Sequence, residues 1–256
     1  MRVACAQVSP VIGDAAGNAA RVAEAIDAAG AVGAAGAADV IVLPELALSG
    51  YAFESAAEAR AGAVEPSALA AWARPGRVVV GGFAERAGDV VFNSAAIVDA
   101  SGVRAVYRKA HLWDREPSWF AAGADEPPVV ETEHGRIAAL VCFDLFFPEW
   151  VRVAALRGAE LLCVPGNWPA PAGGGEPPQP ARAAVAAEAN GIAVALCDRH
   201  DAERGLRFAG ATCIADASGR VVARGPGARA EVAPGHRAPL AARRPELYGR
   251  IGGPGA

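Results

Sequence analysis

The sequence predicts an α+β fold, one domain over residues 1–256 in which sheets pack together and helices cover the outside. Three observations predict it. Apolar runs of strand length outnumber helical stretches, three or four helical stretches lie between them, and no stretch reads as a linker between halves. With 53% hydrophobic residues and a mean hydropathy of +0.22, a large core is easily supplied and disorder is excluded for most of the chain.

Taken in order, residues 2–8 read as a strand, followed by a turn at 10–14. Residues 18–38 are Ala-rich with Val22, Ile26 and Ala29 on one face, a helix in spite of Gly30, Gly33 and Gly36, which point to close packing or an early end. The strand at 39–43 (DVIVL) delivers Pro44-Glu45-Leu46, where a carboxylate between Leu43 and Leu46 should be desolvated and raised in pKa. Ser49-Gly50-Tyr51 turns the chain. A polar, Ala-rich helical region at 56–73 precedes strands at 77–84 and 90–98, and a hairpin turn at 98–102 leads into the strand 103–108. That strand ends at Lys109. The segment 109–128 is long, aromatic and carries Glu116, a loop type that is usually functional.

A further hairpin, 129–131 with 136–141, reaches Cys142. Pro148 and Glu149 suit a first helical turn, Trp150, Val153, Ala154 and Leu156 fall on one face, and Gly158 stops the helix. A strand at 160–164 leads into a Pro/Gly-rich loop at 165–180 containing Asn167 and Trp168. A helix at 181–190 and strands at 191–197, 206–215 and 220–223 follow. The tail from about 235 lacks periodicity, and its GGPGA end reads as disordered.

A net charge of -4 with no basic cluster argues against nucleic acid. Arg243 and Arg244, the densest basic spot, read as ordinary surface. No segment reaches bilayer length, and the first apolar run is too short, broken by Gln7, to be a signal peptide. Five widely spaced cysteines fit reduced thiols in a cytoplasm better than a disulfide framework. The four histidines lack metal-ligand spacing.

Cys5, Cys163, Cys197 and Cys213 sit in apolar runs that packing explains; Cys142 alone stands at a strand-to-helix junction, the geometry a nucleophile needs. Read alone, it is as readily a small buried hydrophobe, and Glu45 as readily an exposed loop acid. Lys109 is sharper. It is the single lysine among 24 basic residues, in a chain whose arginine bias points to a GC-rich genome, so this position needs a compact ammonium that a planar guanidinium does not replace.

The series Glu45, Lys109, Cys142, set in LPELALSGY, YRKAHL and VCFDLFFPE, with VACAQV, GNW and DRHDAERGLRFAGATCIADASG around it, resembles the nitrilase superfamily of carbon-nitrogen hydrolases over nearly the whole chain. The resemblance implies a four-layer αββα sandwich that commonly dimerises, and no cofactor. It implies Cys142 as nucleophile, Glu45 as general base and later acid, Lys109 with the Phe143 backbone N–H at the oxyanion, and Glu116 as a further, substrate-orienting glutamate. A neighbouring ammonium should lower the thiol pKa. A Cys142–His111 dyad is a weaker alternative.

Many members of that superfamily carry Arg two residues before the Pro of this junction, and some use arginines just after the cysteine to hold a substrate carboxylate. Here Leu145 and Phe146 stand there, which points to an uncharged small substrate in a pocket lined by Tyr51, Trp113, Trp119, Asn167 and Trp168. The expected activity is that of a cytoplasmic thiol amidohydrolase on small linear amides. A nitrilase or an N-carbamoyl amidohydrolase with the same three residues is the near alternative, and a catalytically silent interaction protein the remote one.

Overall fold

Unbroken apolar runs such as Val40–Val42 and Leu161–Gly166 have no polar face to turn to water and so need cover on both sides. In the computed structural model, which describes residues 1–31, 36–236 and 238–249, they lie inside two six-stranded sheets that share a core. The first sheet contains β1 (Arg2–Cys5), β2 (Val40–Val42), β3 (Val78–Ala87), β4 (Val90–Asp99), β5 (Gly102–Arg108) and the late strand β14 (Arg229–Glu231), in the order β14-β1-β2-β3-β4-β5. The second contains β6 (Val129–Thr132), β7 (Gly135–Ala139), β8 (Leu161–Gly166), β9 (Ala193–Asp198), β12 (Cys213–Ala215) and β13 (Val221–Arg224), in the order β13-β12-β9-β8-β7-β6. The hairpin β10 (Ala202–Glu203) and β11 (Leu206–Arg207) belongs to neither. Each sheet is parallel at its centre, β1-β2-β3 and β7-β8-β9, and antiparallel at its edges.

Strand alternation sorts the first sheet's side chains between two layers. Val3, Cys5, Val40, Val42, Val78 and Val80 join the second sheet in one apolar cluster. Ala4, Ile41, Val79 and Phe83 face the other way, against Val22, Ile26 and Ala29 of α1 (Ala15–Gly30) and Leu69 and Trp72 of a 3₁₀ segment (Pro66–Trp72). The second sheet is covered by α3 (Pro148–Leu156) and α4 (Gln179–Asn190), through Val151, Ala154 and Ala155 on the first and Ala183 and Ala187 on the second. The layers are therefore helix, sheet, sheet, helix, the expected αββα sandwich. Cys5, Cys163, Cys197 and Cys213 are at most 1% exposed within it, and all five cysteines are free.

Several expected elements are corrected. The helix expected over 18–38 starts earlier, capped by the Asp14 side chain on the Gly17 N–H, and ends at Gly30; Gly33 lies outside the described residues. The helical region 56–73 divides into α2 (Ala56–Ala61) and the 3₁₀ segment, since Pro66 cannot continue an α-helix begun before it. The strand expected at 206–215 is broken into β11 and β12. The tail holds a short α5 (Ala238–Ala241) and a 3₁₀ turn at Pro245–Leu247, and its GGPGA end lies outside the described residues. On α3 the buried stripe is Val151, Ala154 and Ala155, while Leu156 is 41% exposed.

One strand positions the site directly. β3 passes so close beneath the Glu45 loop that a Cβ at Gly82 would lie 2.5 Å from the Glu45 Cα, and both Gly82 backbone groups hold that loop, the N–H on Pro44 O at 3.0 Å and the carbonyl on the Ala47 N–H at 2.9 Å. No flexible side chain is there to yield. Gly82→Ala is expected to cost about 1–3 kcal/mol through overpacking and to lower turnover by moving Glu45, which a thermal melt and an assay of the same preparation measure together.

Candidate active site

Glu45, Lys109, Cys142 and Asn167 each follow the C-terminal end of a strand, β2, β5, β7 and β8 respectively. Two of these ends are bent into unusual backbone. Leu46 has φ +51° and Cys142 φ +48°, left-handed conformations that cost a non-glycine residue roughly 1–2 kcal/mol. Cys142 then opens a 3₁₀ turn (Cys142–Phe146) that runs into α3 at Pro148, the strand-to-helix junction expected from sequence. The Phe143 amide lies in the first turn of that segment, where N–H groups lack an intrahelical acceptor.

The fully buried Asp144 fixes this turn. It accepts hydrogen bonds from the Val141 N–H at 3.1 Å, the Tyr107 hydroxyl at 2.8 Å and the His111 N–H at 3.1 Å, and its Oδ1 is 2.7 Å from His111 Nδ1. The His111 ring also stacks on Phe147 at 3.8 Å. This engagement with Asp144 makes His111 part of the turn's scaffold and takes away the ground for a Cys142–His111 dyad.

Lys109 occupies the centre. Its Nζ lies 2.7 Å from Glu45 Oε1 and 2.7 Å from Glu116 Oε1, and all three side chains are fully buried. The Tyr51 hydroxyl donates to Glu116 Oε1 at 2.9 Å and the Trp113 N–H to Glu116 Oε2 at 3.1 Å. Asn93 Nδ2 donates to Glu45 Oε1 at 2.7 Å, and Asn167 Nδ2 to the Glu45 carbonyl at 2.9 Å. Glu45 Oε2 is buried and has no hydrogen-bond partner among the described residues. Two ammonium hydrogens are committed, which leaves Lys109 a third to offer.

Cys142, 5% exposed, is within electrostatic reach of Glu45, Lys109 and Glu116. Burial and then the Glu45 carboxylate push its pKa well above the usual thiol range, and Lys109 offsets only part of this. The expected lowering by the neighbouring ammonium is present, but burial and the Glu45 carboxylate outweigh it, so the thiol is not lowered overall. Burial would lower the Lys109 pKa, but Glu45 and Glu116 outweigh it and hold it well above its ordinary value. Burial raises Glu116, with Glu45 adding to it and Lys109 opposing.

The other expected pocket residues divide. Tyr51 and Asn167 belong to the cluster, Trp113 is half-buried beside Glu116, and Trp119 packs edge-on against Tyr51 and Phe53 in a small core. Trp168 folds its ring over Gly166 while its N–H donates to Asp198 Oδ1 at 2.9 Å. The Phe143 ring is half-buried among Phe146 and Phe147. Leu145 and Phe146 line a cavity of about 820 Å³ between α3 and α4, and Arg182 sits 3.7 Å over the Phe146 ring. Their apolarity serves that cavity and says nothing of the substrate. Sequence reasoning missed Asn93, Asp144 and Asp198. An asparagine within the apolar run VVFNSAAIV was the one signal available for the first.

Residues 2–234 match the family model described as carbon-nitrogen hydrolase. The chain belongs to that family. This carbon-nitrogen hydrolase is 33% identical to a nitrilase of Pyrococcus abyssi over 72% of its own length and 71% of the relative's. It is 32% identical to an (R)-stereoselective amidase of a Pseudomonas species over 87% and 80%. A hydrolase encoded in the pqqF 5' region of Pseudomonas protegens is 38% identical over 64% of this chain, which spans 59% of that protein. Among solved structures, the NitN amidase of Nesterenkonia sp. AN1 superposes with a TM-score of 0.81 at 28% identity, over 97% of this chain and 98% of that one. A glutamate-to-glutamine variant of that amidase carries the acetamide moiety of fluoroacetamide covalently added at its active site cysteine.

The raised thiol pKa gives a direct expectation. An ultraviolet titration of the enzyme against its Cys142→Ser variant should show no Cys142 thiolate absorbance at neutral pH, with the signal growing only above pH 9, the ordinary thiol value. A full thiolate signal at pH 7 would refute the electrostatic account.

Proposed function

We propose that this enzyme hydrolyses small, uncharged linear amides through a thioester on Cys142, releasing ammonia and a carboxylic acid. The observation that carries this reading is Glu45: one carboxylate oxygen is saturated by Lys109 and Asn93, and the other is buried and free. As the sulfur attacks the carbonyl carbon, its proton passes to Glu45 Oε2, so a thiol that is neutral at rest becomes nucleophilic only during the step. The carbonyl electrons move to oxygen, which the third Lys109 N–H and the Phe143 amide stabilise in this reading. Collapse expels the amine as Glu45 returns the proton to nitrogen. Water, deprotonated by Glu45, then opens the thioester, and the proton returns to sulfur as the acid leaves.

The free oxygen also favours amides over nitriles, since an amide nitrogen brings N–H donors that a nitrile lacks. Two carboxylates against one ammonium disfavour an anionic substrate, which gives the uncharged preference a new footing. The likeness to the Pyrococcus abyssi nitrilase supports a nitrile substrate as the second reading. We also propose that a second copy of the chain covers the face made by Phe146, Leu156 and Val185, which are 47%, 41% and 64% exposed, and that the enzyme works in a reducing cytoplasm, in keeping with five free thiols. No helix among the described residues is long and apolar enough to cross a membrane.

Ammonia release from matched amides, N-carbamoyl compounds and nitriles should be fastest with the amides; faster release from nitriles would move the assignment to the second reading. Lys109→Arg should lose roughly 10²–10³ in kcat, because a guanidinium cannot place one donor at the oxyanion while serving both glutamates. Near-normal turnover in this variant would remove Lys109 from the mechanism. Val185→Glu should halve the mass seen by light scattering, and an unchanged mass would show that the face is not where copies meet.

A further inference from the structure

A second set of buried charges has no part in the chemistry proposed above. Arg199, just past the end of β9, is fully buried at its side chain, pairs with Asp201 at 2.6 Å, lies 4.4 Å over the Phe208 ring and reaches Glu203 Oε1 at 3.3 Å. Glu203 belongs to the β10–β11 hairpin, which pairs only Ala202 with Arg207 and Glu203 with Leu206. A hairpin that short does not hold its shape unaided. Side chains fasten it to the loop after Glu45.

The fastening is specific. Glu203 Oε2 accepts both the Tyr51 and the Ala52 backbone N–H, each at 2.7 Å, while Arg204 Nη1 donates to the Ala52 carbonyl at 3.1 Å and pairs with Glu58 at 2.6 Å. Two amides converging on one oxygen call for a carboxylate, the stronger acceptor. Gly50, at φ +82°, allows the approach, since a Cβ there would lie 2.6 Å from Glu203 Oε1. The residue so gripped is Tyr51, whose hydroxyl reaches the same Glu116 oxygen that Lys109 holds.

We propose that Glu203 is a positioning residue: by fixing the Tyr51–Ala52 backbone it sets where the Tyr51 hydroxyl meets Glu116, and so how Glu116 and Glu45 share Lys109. This rests on the amidohydrolase reading. Glu203 contacts none of the reacting atoms and acts through Tyr51 alone.

The test is a double-mutant cycle of Glu203→Ala and Tyr51→Phe, with Glu203→Gln beside it. Each variant is assayed for kcat and KM on a primary amide and, by intact mass, for the rate at which fluoroacetamide adds to Cys142. Glu203→Ala should lower kcat and the adduct rate by roughly 10- to 100-fold, the scale of a small misplacement in an active site, with KM little changed. Glu203→Gln should recover part of the loss, because its amide oxygen can accept the same two N–H groups, though more weakly than a carboxylate and with its NH2 turned towards Arg199. The double variant should be no slower than Tyr51→Phe alone. Should the alanine variant fail to fold, Glu203→Asp, which keeps the charge beside Arg199 but withdraws the acceptor, takes its place in the cycle. A wild-type kcat in the single variant, or losses that simply add, overturns the proposal while leaving the amidohydrolase reading intact. A wild-type enzyme with neither turnover nor adduct removes both.

Discussion

An ammonium sealed from water and shared between two carboxylates is the interaction on which the rest of this structure depends. Lys109 is tolerable at 0% exposure only because Glu45 and Glu116 each stand 2.7 Å away, and stripping one partner from such a buried set typically costs about 3–5 kcal/mol. The loops after β2 and β5 must therefore arrive together to within a fraction of an ångström. Gly82 lets β3 pass beneath the Glu45 loop, Asn93 and Asn167 hold that glutamate from two sides, and Asp144 ties the cysteine turn to Tyr107 and His111. Left-handed backbone at Leu46 and Cys142 is the strain that these contacts offset.

The same charges decide how the sulfur behaves. With two acids against one base close by, the enclosed thiol gains little from Lys109, and a standing thiolate would add a third negative charge to the cluster. On the mechanism proposed above, activation waits for the arrival of a carbonyl able to take up the developing charge.

Glu45 and Cys142, each after an apolar strand, were ambiguous until their motifs were seen to resemble the nitrilase superfamily, whereas Lys109 stood out unaided as the single lysine. Glu116 was legible from its long aromatic loop. Asp144, Asn93 and Asp198 were not, since their partners are brought to them by tertiary packing: the Tyr107 hydroxyl and the Trp168 and Ala211 amides lie 37, 30 and 13 residues away. The central strands were legible as unbroken apolar runs, whereas β10, β11 and β14, two or three residues each, are too short to show a period. The face of α3 was misread because Val153 and Leu156 form a second apolar stripe, turned towards the groove beside α4, and apolar spacing alone does not tell an inward stripe from an outward one.

The distribution of sulfur through the sandwich has a practical consequence. Four cysteines lie between or within the sheets at no more than 1% exposure, and the fifth stands at the mouth of the cysteine turn. All five thiols are therefore enclosed in the native chain, and a thiol count in denaturant, rising towards five, reports how far the sandwich has come apart.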